Sequence, residues 1–91
     1  GLKKNAGHAG LLNTHGMALW ALGEKTKAEG ELKKSVAADP GFDRPYLNLA
    51  GLLKELGRPG EAAGVLSALL EAIPGHRQAA GMLRELQPGR P

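Results

Sequence analysis

Apolar side chains recur along this chain at helical spacing. Leu11, Leu12, Leu19 and Leu22 lie on one stripe of a 3.6-residue period, and Ala28, Leu32 and Val36 follow at steps of four, the pattern of amphipathic helices rather than of alternating strands. The interruptions are equally informative. Gly23 and Gly57 sit where a helix must stop, and glycine takes up a left-handed C-terminal cap without a Cβ clash. Pro40 and Pro74 each end a second helix. Pro59 and Glu61 suit the start of the helix after Gly57, the proline because the first turn needs no donor and the glutamate because it complements the helix dipole. Asp43 reads as an N-cap, with Pro45 tolerated in the turn that follows. The reading is all-α, with helices at about 9–22, 25–38, 43–56, 59–72 and 77–87.

A shift of 34 residues lays the chain on itself. Leu19 falls on Leu53, Leu22 on Leu56, Gly23 on Gly57, Ala28 on Ala62, Gly30 on Gly64, Leu32 on Leu66, Pro40 on Pro74 and Gly41 on Gly75. A period of this length marks a helical array. It also disposes of one reading of the glycine-rich "ELGRPGEAAGVL" at 55–66. A phosphate-binding loop would occur once and end in Gly-Lys-Ser/Thr on entering a helix, whereas "LG" recurs before "EKTKAEGEL" and before "RPGEAAGVL" with no such ending.

The repeat resembles the tetratricopeptide repeat (TPR) family, whose unit carries a large residue, then x2-Leu-Gly-x2-Tyr, Ala-x3-Phe and Pro. Residues 9–42 supply Leu12, His15, Gly16, Leu19, Ala28, Leu32 and Pro40 at those places; residues 43–76 supply Tyr46, Leu49, Ala50, Leu53, Ala62, Leu66 and Pro74. Residues 77–91 open a third unit or form a capping helix, with Ala80, Leu83 and Arg84 in phase, and residues 1–8 read as the tail of a preceding unit, "AGH" matching "PGF" and "PGH". The resemblance implies a helix-turn-helix solenoid of about two and a half repeats, built by small residues at Gly16, Ala50, Ala28 and Ala62 that let helices approach and leucines that fill the seam. His15 stands in the core stripe where a leucine is usual, and Arg84 where a small residue is usual. Gly30 and Gly64 share one mid-helix phase, which is unfavourable unless a neighbouring backbone packs there; close packing is expected at both.

Length and charge narrow the function. Ninety-one residues make one small domain that buries only about 60–65% of its unfolded surface. The chain starts at Gly1 without methionine and ends in "QPGRP", which reads as a piece of a larger protein. The glycine, alanine, leucine and arginine content and the "LGRPGEAA" turn resemble bacterial repeats. There is no cysteine, hence no disulfide or thiolate metal site, and no stretch of the roughly 18 apolar residues a membrane span needs. A soluble piece is expected, in cytoplasm or periplasm. The net charge of +3 is concentrated early, where residues 1–34 hold six lysines against Glu24, Glu29 and Glu31. With one Trp, one Tyr and one Phe, the chain lacks the aromatic-studded basic face of a nucleic-acid binder, and no nucleic-acid or membrane partner is expected.

The function implied is recognition of a protein or peptide. In a solenoid the first helices of successive units line a concave face that serves as the extended binding surface. About 100° around from the Leu12/Gly16/Leu19 stripe lie Asn13, Met17 and Trp20; the matching positions one unit on are Leu47, Gly51 and Lys54 with Asn48 beside them, and Gln78, Met82 and Glu85 continue the row, with Arg44 at its rim. Trp20 is either a peptide anchor or a cover for the end of the helix pair; Met17 and Met82 are either an adaptable floor or gap-fillers. Some family members grip the acidic C-terminal tails of chaperones with a clamp of lysines, asparagines and an arginine. The in-phase residues here are Asn13, Met17, Asn48, Gln78 and Met82, of which only Asn48 matches, so that ligand is not expected. No catalytic set, cofactor or metal site is expected either: His8 and His15 are two turns apart, and no carboxylate is spaced with them. Two rival readings stand. Leu83 and Leu86 could pair in a homodimer or spacer arm, because no second helix follows to cover them, and the N-terminal lysines could bind an anion or nucleic acid.

Overall fold

The computed structural model describes residues 6–86. The expectations placed on Lys3, Lys4 and the "QPGRP" end lie outside those residues. Among the described residues there are five helices and no strand: α1 (Ala6–Ala21), α2 (Lys25–Ala38), α3 (Arg44–Glu55), α4 (Pro59–Ala72) and α5 (Arg77–Glu85). Neighbours in sequence pack together, α1 with α2, α2 with α3, α3 with α4 and α4 with α5, and α1 also meets α3.

Both glycine turns close as the sequence demands. Gly23 and Gly57 have φ of 85° and 78°. At the first, Glu24 N–H donates to Leu19 O at 2.8 Å and Gly23 N–H to Trp20 O at 2.9 Å; at the second, Arg58 N–H donates to Leu53 O at 2.8 Å and Gly57 N–H to Lys54 O at 3.0 Å. These paired bonds satisfy carbonyls that the helix end would leave orphaned. The proline turn after α2 is tied differently. Asp39 Oδ1 accepts from Gly41 N–H at 3.2 Å, and the Tyr46 hydroxyl donates to Pro40 O at 2.8 Å, so α3 is anchored to the loop that precedes it.

The core is the seam between hairpins. Leu32, Leu52, Leu53, Leu66 and Leu69 are fully buried with Ala28, Ala62 and Ala79; each such leucine contributes about 1.5–3 kcal/mol by leaving water. At Gly16 α1 packs tightly on α2, since a Cβ there would lie 2.9 Å from Leu32 Cγ and 3.4 Å from Ala28 O. The Ser35 hydroxyl, also wholly buried, donates to Ala9 O at 2.7 Å and pins the other end of the same pair.

Four expectations need correction. A methyl added at Gly30 or Gly64 would meet nothing within 4 Å, and both glycines are exposed; they face solvent on the outer sides of α2 and α4 and pack on nothing. Leu11 and Leu22 are 71% and 77% exposed, and His15 is exposed too, its Nδ1 3.1 Å from Glu31 Oε1. The cause is the lack of a described helix before α1. Their in-phase residues on α3, Pro45, Leu49 and Leu56, are buried or half-buried, because α3 is sandwiched between α2 and α4 while α1 packs chiefly on α2 and touches α3. The stripe Leu11, His15, Ala18, Leu22 is thus the uncovered counterpart of an interface the second unit fills. Finally, Asp43 occupies the N-cap position of α3, but its side chain makes no cap hydrogen bond; it is engaged elsewhere.

Where the first turn of α1 lies also differs from the repeat's phase. Residues 6–8 are helical, whereas the in-phase 40–42 and 74–76 form turns. Ala6 stands where the later units have Pro40 and Pro74, so nothing stops the helix there.

Candidate functional site

The row marked on the first helices is only partly drawn together. Its α1 and α3 members meet directly. Asn48 Nδ2 donates to Asn13 Oδ1 at 2.9 Å, and Asn13 is 7% exposed, so one amide is spent on joining the two helices rather than displayed to solvent. Trp20 is half-buried and leans from α1 onto α3: a Cβ on Gly51 would lie 3.5 Å from its Cη2, and its Nε1 donates to Glu55 Oε2 at 3.2 Å. A side chain at 51 larger than alanine would displace the ring.

Glu55 is the hinge of this arrangement. Lys25, at the start of α2, places its Nζ 2.6 Å from the same Oε2. The lysine and, after it, the indole N–H hold the Glu55 carboxyl below the ordinary carboxylate range. The indole is therefore tied through Nε1 to a carboxylate and bounded near Cη2 by a glycine. Met17, Trp20 and Ala21 line an open hollow of about 360 Å³.

The remaining row residues are placed as follows. Leu47 and Met82 are half-buried and pack against the core, so each fills space between helices as well as edging the row. Arg44, Lys54, Gln78 and Glu85 are exposed. Among the described residues no side-chain hydrogen bond links Gln78, Met82 or Glu85 to the α1 and α3 part. What joins α5 to α3 is His76, which the sequence reading did not assign. Its Nε2 lies 2.7 Å from Asp43 Oδ2, and its Nδ1 accepts from Ala79 N–H at 3.1 Å. A nitrogen that accepts from a backbone N–H carries no proton, so Nε2 bears the hydrogen and donates to the aspartate. His76 is the N-cap of α5 and a tie to the start of α3 at once. The signal was present as "PGH" before a helix with an aspartate 33 positions earlier.

A second network missed in the sequence lies on the outer helices. Arg58, at the turn before α4, donates from Nη1 to Glu29 Oε1 at 2.8 Å and from Nη2 to Glu29 Oε2 at 2.9 Å, and also to Glu61 through Nε and Nη2 at 2.7 Å each. Lys33 Nζ lies 2.9 Å from Glu29 Oε2. Glu29 is 9% exposed. The Arg58 fork, then Lys33, pulls its carboxyl down from 4.5 to about 2, and the two glutamates raise the guanidinium further above its ordinary range. Pairs of this forked geometry fix orientation as well as charge, and this one locks the first hairpin to the second. On the same side, Lys33, Val36, Tyr46, Leu49, Val65 and Ala68 edge a groove of about 180 Å³.

Leu83 and Leu86, the dimer contact of the rival reading, are half-buried and pack against the core; among the described residues the most exposed leucines are Leu11 and Leu22, on α1 and the turn after it. No described helix is long and apolar enough to cross a membrane.

The family model for the tetratricopeptide repeat matches residues 19–86, most of the chain, and covers four of the five helices in whole. The chain belongs to the tetratricopeptide repeat family. Among curated proteins none matches it. TPR units generally mediate protein–protein interaction and are typically non-catalytic modules, and the exposed edge of the first-helix layer acquires its interest from that.

Proposed function

We propose that this TPR segment is a non-catalytic protein-binding module that takes a peptide or protein segment along its first helices. The row runs from Asn13, Met17 and Trp20 through Arg44, Leu47, Asn48, Gly51 and Lys54 to Gln78, Met82 and Glu85. Residues 9–42 and 43–76 act as the two repeat units and residues 77–91 as the start of a third or a cap.

The observation that carries this reading is the seating of Trp20. A large aromatic ring held by Gly51 and Glu55, with an open hollow beside it, is pre-ordered before any partner arrives, so binding costs little further side-chain entropy. Aromatic side chains so placed are enriched among hot spots. Asn13 and Asn48 serve to space α1 from α3, which leaves Met17 and Trp20 as the contact and the asparagines as its support.

The test is a comparison of affinities for one peptide selected against the chain. Trp20→Ala should weaken binding by more than about 1 kcal/mol. Because Trp20 also packs on Gly51, Met17→Glu is the second variant: it leaves the ring's supports in place and puts a charge in the hollow. Affinity unchanged in both would overturn the reading.

A further inference from the structure

The charges of the two helix layers differ in a way that bears on what the inner row accepts. On the outer layer the cations are held. Lys25 lies 2.6 Å from Glu55, Lys27 3.9 Å from Glu24, Lys33 2.9 Å from Glu29 and Lys34 3.4 Å from Glu31, while Arg58 is shared by Glu29 and Glu61. On the first helices the balance is reversed. The described residues of α1 include no Asp, Glu, Lys or Arg. On α3, Arg44 and Lys54 are exposed and take part in no ion pair among the described residues, whereas Glu55, the acid of that helix, is occupied by Lys25 and the Trp20 indole. Lys25, Lys27, Lys33 and Lys34 are thus spent on ion pairs, and the exposed cations of the first helices outside any ion pair among the described residues are Arg44 and Lys54 on α3 and Arg77 and Arg84 on α5; of these, Lys54 is the counterpart of Trp20.

Lys54 has a defined place relative to the hollow. It is the counterpart of Trp20 one repeat on, 34 positions later, so the two project from the same level of adjacent first helices. Packed helices stand about 8–10 Å apart, and an extended chain advances about 3.3 Å per residue; the step from one to the other is therefore about three residues of ligand.

We infer that the segment bound on this face is an extended stretch with a bulky aliphatic side chain in the Met17, Trp20 and Ala21 hollow and a side-chain carboxylate about three residues away on Lys54. This deepens the function proposed above and rests on it. Arg44 stands about 15 Å from Lys54 along α3, ten residues at 1.5 Å each, and adds attraction for acidic flanks rather than a fixed contact. On α5 the exposed Arg77, Arg84 and Glu85 carry mixed charge and add no fixed contact. The arrangement differs from a clamp for a chain-terminal pair of carboxylates. One cation beside an apolar hollow recognises a single internal Asp or Glu, and its neighbours Asn13, Asn48 and Gln78 carry no charge to hold a second.

The probe is a random library of 12-residue peptides displayed on phage and panned against the chain. Binding of the selected peptides is then read from the emission of Trp20, the one tryptophan present. The expected winners carry Leu, Ile or Met with Asp or Glu two to four positions away. Replacing that acid by its amide, or Lys54→Gln in the protein, should each weaken binding about tenfold. The two changes together should weaken it little more than either alone, and Lys34→Gln should have no effect. Winners without an acid, no winners at all, or indifference to Lys54→Gln would overturn the inference. The underlying reading is judged separately: winners that lose binding to Met17→Glu keep the inner row as the site even if the acid is dispensable, whereas winners that bind Met17→Glu undiminished remove the row itself.

Discussion

His76 and Asp43 are joined at 2.7 Å between the imidazole Nε2 and a carboxylate oxygen, so the first residue of one repeat unit is bonded to the cap of the next. Asp43 stands where an N-cap should be and leaves its own helix uncapped by its side chain. The imidazole caps α5 with its other nitrogen. His76→Ala should therefore cost about 2–3 kcal/mol, the sum of a cap and a hydrogen bond to a charged group. In urea unfolding, Asp43→Ala should add little on top of His76→Ala, because the histidine is the aspartate's partner. Additive losses would show that the two residues act independently.

Glycine substitutions should separate by sign. Gly16→Ala puts a methyl 2.9 Å from Leu32 Cγ, and the two helices must part or Leu32 must shift, at about 1–3 kcal/mol. Gly30→Ala and Gly64→Ala meet open space and should each stabilise by about 0.5–1 kcal/mol, through better helix propensity and a less mobile unfolded chain. Thermal unfolding of the three single variants decides it; a stabilised Gly16→Ala would mean the α1–α2 seam is looser than described.

Acid should weaken the joint between hairpins in a defined window. Glu29 has its carboxyl lowered from 4.5 to about 2 by Arg58 and Lys33. A folded-state value below the unfolded one means that the charged form stabilises the fold; that stabilisation is complete above about pH 4.5 and is lost as pH falls towards 2. Glu29→Gln should flatten the pH dependence of stability between these limits, and Arg58→Gln should flatten it too by returning the carboxyl towards its ordinary value. Glu31, Glu55 and Glu61 are also lowered, by His15, Lys25 and Arg58 in turn, so some slope will persist. A Glu29→Gln profile with the slope of the wild type would contradict the assignment.

Helix order and both glycine turns could be read from the sequence, because Gly23, Gly57, Pro40 and Pro74 act locally: a positive φ or a missing N–H ends a helix whatever surrounds it. Burial could not be read as well. Leu11, His15 and Leu22 have the period of a core stripe, but periodicity reports that a face is apolar, and whether anything packs on it depends on a helix elsewhere. Gly30 and Gly64 misled for the same reason, since a small residue permits close packing without causing it. The candidate row was legible as phase. That Asn13 would be consumed by Asn48, or Trp20 held by Gly51 and Glu55, depended on contacts 35 and 31 positions apart, which no local pattern carries.

A partner that lies on the first helices, at α1 and α3 above all, must perturb their backbone amides. Chemical-shift mapping of the isotope-labelled chain, titrated with a library-selected peptide, tests this most directly. The largest shifts are predicted to gather at Met17, Trp20, Ala21, Gly51 and Lys54, with α2 and α4 nearly silent. Shifts centred on the groove of Val36, Val65 and Ala68, or on the uncovered stripe of Leu11 and Leu22, would contradict binding on the first helices.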